Sequence, residues 1–370
     1  MTILTEHSTK IKVKLPSGDV QAQMEVFYNP IMASNRNIAI LLLRSLPHQK
    51  MKLADPLAGS GIRALRMFQE VPKKKIDSIA VNDHKENFLR IFKENTDLNK
   101  IYSRKISAHS LDASLFLLHQ EGFDYIDLDP FGSPNPYLSA ALARISRKGI
   151  LAVTATDTAA LTGTYTSVTR RKYWAEPLRN YLMHEIGLRI LIRKIQLLGT
   201  QFDKALVPIL SYSKDHYYRL YFQCEKGKEK CDAIIRQHQY FLFCNSCLNF
   251  KTSPYNWEKC SCGGAFQFAG PLWSGALINQ SIITTIAKNN PFPEEQKFLD
   301  LLQREATIHT VGFYDLHEVA SHYKLDVPKI DLVVQKTAGV RTTFSPTGVR
   351  CTKSLVEMLK IMKSLGSKIK

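Results

Sequence analysis

Between residues 50 and 224, short apolar runs alternate with longer stretches in which apolar positions recur every three or four residues. An unbroken apolar run bounded by turn residues marks a strand, and a repeat near 3.6 marks a helix. The pattern predicts strands over 51–54, 76–81, 105–108, 125–128 and 149–155. Helices are expected over 62–69, 85–95, 114–120 and 136–145, so that strands and helices alternate as in βαβ units around a parallel sheet. A further helix is expected over 179–196, before extended runs at 205–212 and 217–224 that flank the turn-like Ser213-Lys214-Asp215-His216. That pair reads as an antiparallel hairpin closing an α/β sheet.

The pattern changes after Glu225-Lys226-Gly227-Lys228-Glu229-Lys230, a charged stretch that reads as a linker or exposed turn. It divides the chain into 1–230 and 231–370. Residues 240–270 are dense in cysteine, aromatics and glycine, and 293–325 read as helical. Residues 341–351 have a two-strand turn pattern ahead of a last helix. The second part is therefore expected to be an α+β domain with a winged-helix-like module.

Composition narrows the class. The chain has 370 residues, 44% of them hydrophobic and 22% charged, which suits a folded protein of about two domains and excludes bulk disorder. The longest apolar runs, 38–43 and 150–153, fall far short of the roughly 20 residues that cross a bilayer. The start of the chain has no secretory pattern, so a soluble cytoplasmic protein is expected, away from membranes. Fifty Lys and Arg against 33 Asp and Glu leave a net charge of +17. Such an excess points to nucleic acid, with a basic surface kept for solubility as the plainer alternative. Nothing in the sequence calls for an obligate protein partner.

Asp55-Pro56-Leu57-Ala58-Gly59-Ser60-Gly61-Ile62-Arg63 runs from a predicted strand through a small-residue turn into a helix, where backbone can approach a ligand closely. The third glycine of G-x-G-x-x-G is missing, which favours an adenosine-like ligand over a dinucleotide. The next strand ends at Asp83, whose carboxylate can accept from ribose hydroxyls. The third is followed by Asp112-Ala113, where a carboxylate and a backbone amide can read an adenine edge. Asp83 and Asp112 are also ordinary helix N-caps, and the two roles are compatible.

The fourth strand ends in Asp127-Leu128-Asp129-Pro130-Phe131-Gly132. Asp129-Pro130-Phe131 is similar to the (Asp/Asn/Ser)-Pro-Pro-(Tyr/Phe) motif of methyltransferases acting on exocyclic base amines. The layout of the predicted sheet is that of class I methyltransferases. An aniline-like base nitrogen is a poor nucleophile because its lone pair is delocalised into the ring. The carboxylate of Asp129 and the carbonyl of Pro130 are acceptors that can hold its N–H groups, and Asp129 can take the proton. Phe131 offers a stacking face for a base drawn out of its helix.

Together these segments resemble the tRNA (guanine26-N2)-dimethyltransferase family, in a shorter, archaeal-type form. The resemblance rests on Glu25-Val26-Phe27-Tyr28-Asn29-Pro30, Asn35-Arg36-Asn37, Ser60-Gly61-Ile62-Arg63-Ala64-Leu65-Arg66, Val81-Asn82-Asp83 and Asp127 to Pro134. It implies that Arg36, Arg66, Asp83, Asp112 and Ala113 line an S-adenosylmethionine site. It also implies that Phe27 and Asp129 to Phe131 surround a guanine to be dimethylated at N2. Without the resemblance, Arg36 and Arg66 read as surface arginines and Phe27 as a core aromatic.

Seven cysteines, an odd number, argue against a disulfide framework. Cys244, Cys247, Cys260 and Cys262 form two tight pairs suited to a structural zinc ribbon, although the second pair is one residue shorter than C-x-x-C. Cys224, Cys231 and Cys351 read as small hydrophobes. Basic residues at 170–172, and through Arg341, Arg350 and Lys353 to the end of the chain, are candidates for tRNA phosphates or simply solvated faces. A methyltransferase of adenine N6 or cytosine N4, and a non-catalytic RNA-binding protein, are the alternatives to the guanine N2 reading.

Overall fold

The computed structural model describes residues 2–13 and 28–366. The chain opens with an antiparallel hairpin, β1 (Thr2–Glu6) and β2 (Thr9–Val13), which lies against helices of the main sheet. Helix α1 (Ala33–Ser45) is buried without a break from Asn35 to Leu43. It spans the core instead of floating on one face.

The predicted alternation follows: β3 (Met51–Asp55), α2 (Ile62–Glu70), β4 (Ile76–Asn82), α3 (Phe88–Leu98), β5 (Ile106–His109), α4 (Ala113–Leu118), β6 (Phe123–Leu128), α5 (Asn135–Arg144) and β7 (Ile145–Ala155). Short α6 (Thr158–Leu161) and α7 (Thr166–Tyr173) lead to the long α8 (Met183–Thr200) and the hairpin β8 (Lys204–Lys214) and β9 (Tyr217–Lys226). The seven strands stand in the order β5-β4-β3-β6-β7-β9-β8. The first five are parallel, and β9 enters antiparallel to β7 with β8 antiparallel to β9. Helices cover both faces of such a sheet, which is why the inner strands read as continuous apolar runs. The chain reverses direction across the sheet between β3 and β6. A crevice therefore opens at their carboxyl ends, where α/β sheets bind ligands.

The charged segment at 225–230 is not a linker. Glu225 and Lys226 finish β9, and Lys228 begins helix α9 (Lys228–Ile235), which packs on β8 and α8 through buried Cys231 and Ile234. The charges occupy the outer side of continuous structure, where Lys230 pairs with Glu225 at 2.7 Å. Such a short helix hides in the sequence because its apolar face is only two residues long.

Beyond it lie β10 (His238–Cys244), β11 (Phe250–Ser253) and β12 (Phe266–Trp273), in the order β11-β10-β12, and helices α10 (Gln280–Lys288) and α11 (Gln296–Glu305). β13 (Tyr314–Asp315), α12 (Leu316–Tyr323), α13 (Ile330–Thr337), β14 (Val340–Arg341), β15 (Gly348–Arg350) and α14 (Leu355–Gly366) complete the chain, with a small sheet ordered β13-β15-β14. The two-strand turn expected at 341–351 is the β14–β15 pair. β12 packs on α8 and α10 on α1, so the C-terminal elements share a continuous apolar core with the large sheet. No described helix is long and apolar enough to cross a membrane.

Candidate active site

A cavity of about 440 Å³ occupies the crevice at the carboxyl ends of β3, β4 and β6. Its lining includes Leu57 and Gly59 from the turn after β3, Asp83 after β4, and Asp129, Pro130 and Phe131 after β6. Tyr137, Thr156, His216 and Tyr217 line it as well.

The turn after β3 is held by side chains that the sequence places on neighbouring strand ends. Gly59 N donates to Asp83 Oδ2 at 2.8 Å, and Lys85 N to Asp83 Oδ1 at 3.2 Å. Asn82 donates to the carbonyls of Pro56 and Leu111 and accepts from Leu111 N, which ties together the loops after β3 and β5. Gly61 has φ +78°, and a Cβ there would lie 2.4 Å from the Phe92 ring, so this position tolerates no side chain. The result is a narrow backbone cradle at the start of α2 with a carboxylate beside it. That donor set fits the sugar and backbone contacts of an adenosine-like group.

At the end of β6, Phe131 is 61% exposed on the cavity wall, and its loop is latched by Gly132 N donating to Thr156 Oγ1 at 2.8 Å. Asp129 Oδ2 accepts from Arg63 Nη2. Arg63 also reaches Asp127 Oδ2 at 3.2 Å. Asp127 is fully buried and takes Arg219 on both oxygens at 2.8 and 2.7 Å, with Tyr125 OH at 2.7 Å. Against burial, which opposes ionisation, Arg219 and Arg63 hold the Asp127 carboxyl below its usual range. Asp55, at the end of β3, is 1% exposed, and neither of its carboxylate oxygens has a hydrogen-bond partner among the described residues. Burial pushes its carboxyl up to about 8, although Arg63 pulls the other way.

The remaining residues singled out from sequence stand elsewhere. Phe27 lies outside the described residues. Arg36 and Arg66 are not surface arginines: they are 4% and 0% exposed. Arg36 Nε and Arg66 Nη1 both donate to Glu6 Oε1 at 2.7 Å, and Arg66 also forks onto Glu70 at 2.9 and 2.8 Å. Though Glu6 is buried, Arg36 and Arg66 hold it down at about 2. Neither arginine lines the cavity. Asp112 is exposed, and its Oδ1 caps α4 by accepting from Ser114 N and Leu115 N at 2.9 and 3.0 Å. Ala113 is buried at the first position of that helix. Both lie outside the cavity lining.

Sequence reasoning missed Glu6, Asp55, Arg63 and Arg219. One signal was available: Arg219 interrupts an apolar strand, Tyr217-Tyr218-Arg219-Leu220-Tyr221-Phe222, and a cation buried there requires an anion. Asp127, inside the apolar run of β6, offers it.

The four clustered cysteines meet as expected. Their sulphurs all lie within 4.8 Å of one another, with Cys244 to Cys262 at 3.5 Å and Cys247 to Cys260 at 3.6 Å. Those separations match the edges of a tetrahedron around zinc with ligand bonds of about 2.3 Å. The shortened second pair is accommodated because Gly263 adopts φ +86° and Gly264 passes so close that a Cβ would lie 3.2 Å from Cys244 Sγ. Burial pushes the Cys247 thiol up to about 12, whereas hydrogen bonds from Cys262 and the other thiols bring Cys260 to about 7 despite burial. Four sulphurs packed this closely suit the ligand set of one cation. Cys224, Cys231 and Cys351 are buried and free.

Arg350 is not a surface cation for phosphates. It is 2% exposed and binds Glu185 and Glu305, because a guanidinium in a β-strand of the core is stable only among carboxylates. Arg341 pairs with Asp331 at 2.8 Å and Arg170 with Glu176 at 2.7 Å, both on the surface.

A family model for N2,N2-dimethylguanosine tRNA methyltransferases matches residues 2–363. The chain is 40% identical over 380 aligned positions to the tRNA (guanine(26)-N(2)/guanine(27)-N(2))-dimethyltransferase of Aquifex aeolicus, covering 99% of this chain and 96% of that one. It is 35% identical to the tRNA (guanine(26)-N(2))-dimethyltransferase of Methanobrevibacter smithii, covering 96% of each. Among solved structures, Trm1 from Pyrococcus horikoshii in complex with S-adenosyl-L-methionine matches with a TM-score of 0.87 at 30% identity, over 98% of this chain and 100% of that one. With both the crevice and the full-length match in hand, the chain belongs to the N2,N2-dimethylguanosine tRNA methyltransferase family.

Proposed function

We propose that this protein is a cytoplasmic, S-adenosylmethionine-dependent tRNA methyltransferase that converts guanosine 26 to N2,N2-dimethylguanosine in two rounds. The observation that carries the reading is the shared cavity: the glycine cradle with Asp83 and the Asp129-Pro130-Phe131 strand end face the same space. A methyl donor and a flipped base can meet there out of the duplex.

When bound, the sulfonium supplies an electrophilic methyl group. The chain's own residues do the rest. Asp83 accepts from ribose hydroxyls beside the Gly59 turn, while Asp112 and the Ala113 amide, which stand outside the cavity lining, read the adenine edge. Arg36 and Arg66 face the cofactor's carboxylate once they exchange Glu6 for it. Asp129 and the Pro130 carbonyl hold the N–H groups of guanine N2 and aim its lone pair, with the rings of Phe131 and Phe27 stacking on the base. The proton released at each transfer passes to Asp129. Residues 1–230 form the catalytic unit. Residues 231–370, held by zinc on Cys244, Cys247, Cys260 and Cys262, grip the rest of the tRNA through exposed lysines and arginines.

Unmodified tRNA incubated with the protein and S-adenosylmethionine, then digested and analysed by mass spectrometry, tests this reading. N2-methyl- and N2,N2-dimethylguanosine should appear and vanish when guanosine 26 is replaced. Product that persists after that replacement and vanishes when guanosine 27 is changed would move the target by one nucleotide. Methylated adenine or cytosine would overturn the guanine assignment.

A further inference from the structure

Arg63 stands at the second position of α2, where a cation opposes the positive end of the helix dipole, and it is 5% exposed. A buried guanidinium in that place is stable only among anions, and two carboxylates flank it, one in β6 and one just past its end. Its Nη1 is set by Asp127 Oδ2, and its Nη2 meets Asp129 Oδ2 at the cavity. Asp127 cannot turn away, because Arg219 from β9 binds both its oxygens and the Tyr125 hydroxyl binds one. The chain of contacts runs from the sheet interior to the cavity wall without exposed links until Asp129, which is 17% exposed at its side chain. Asp129 Oδ1 accepts no hydrogen bond from the described residues, so it is the oxygen left for an incoming donor.

From this arrangement we infer that Arg63 is the positioning residue of the transfer: it pins Asp129 by one oxygen and presents the other to the base amine. The inference rests on the role proposed above for Asp129. Its consequence differs between the two rounds. In the first, guanine N2 carries two hydrogens, which Asp129 and the Pro130 carbonyl can hold together. After one methyl group is added a single hydrogen remains, and orientation depends on a single acceptor. Loosening Asp129 therefore slows the second transfer more than the first.

The test is single-turnover methylation of tRNA by the full-length Arg63→Lys and Arg63→Met variants, each alone and combined with Asp129→Asn. Arg63→Lys keeps the charge of the buried cluster but cannot bridge both carboxylates, which guards against simple unfolding of the methionine variant. Either single variant should lower the rate of transfer by about 10- to 100-fold, the size of a small misplacement of a reacting group. KM for tRNA and cofactor affinity should stay within about threefold, and monomethylguanosine should accumulate. In the Asp129→Asn background the Arg63 substitutions should add less than about threefold, because the two residues act as one unit. Multiplicative losses, an unchanged monomethyl to dimethyl ratio, or native rates in Arg63→Lys would overturn the inference. Native rates in Asp129→Asn alone would instead overturn the role of Asp129 itself.

Discussion

Glu185 in α8 and Arg350 in β15 lie 165 residues apart and meet as a buried forked ion pair, with Arg350 Nη2 2.8 Å from Oε2 and Nη1 3.1 Å from Oε1. Arg189, one turn along α8, binds Glu185 as well and reaches the carbonyls of Trp273 and Gly275, so the network joins the large sheet's helix to the C-terminal elements. Breaking one partner of such a pair leaves an uncompensated buried charge. Arg350→Met should therefore destabilise the protein by about 3–5 kcal/mol in chemical denaturation. The salt dependence of tRNA binding by the folded variant should be unchanged, because Arg350 touches no phosphate. A lowered salt slope with native stability would contradict the buried assignment.

Asp129→Ala removes the acceptor at the end of β6. Turnover should fall by about 10²- to 10⁴-fold, while equilibrium binding of tRNA and S-adenosylmethionine stays near native. Steady-state kinetics beside calorimetric binding make the comparison, and native turnover would take Asp129 out of the mechanism.

Asp55 gives the protein a pH dependence of unusual sign. An unfolded aspartate ionises near 3.8, whereas burial keeps Asp55 protonated up to about 8 in the folded chain. Between those values the unfolded state sheds a proton that the folded state keeps, so this residue lowers stability as pH rises. Asp55→Asn abolishes the titration. Its gain in stability over the native chain should be small at pH 4 and grow through pH 8, read from urea denaturation at several pH values. A pH-independent difference would mean that the native carboxyl does not titrate in this window.

The cysteine cluster makes a claim about metal. Elemental analysis should find one zinc ion per chain, and Cys260→Ser should lose it and lower the melting temperature. Cofactor affinity should be near native, since the sulphurs lie on the β10–β12 ribbon and the cavity on the large sheet. Loss of cofactor binding on chelation, with the fold intact, would contradict that separation.

Local pattern was enough for the sheet and for the residues at its strand ends. Periodicity placed the five parallel strands and the hairpin. Asp83 and Asp129 could be found because each follows directly on an apolar strand whose end must face the crevice. The cysteine pairs were legible for a similar reason, since ligand spacing is a short-range property. Buried charge was not legible, because its meaning lies in partners far along the chain. Arg36 and Arg66 read as surface residues until Glu6, some 30 and 60 positions away, proved to sit between them. Arg63, Asp127 and Arg219 come from three elements and become a single device only when the sheet brings them together. The charged run at 225–230 failed in the opposite sense, since charge on the outer face of a short helix looks the same in sequence as charge on a linker. An apolar side chain needs only to leave water, and periodicity records where it goes. A buried ion needs one particular counter-ion, and only folding chooses it.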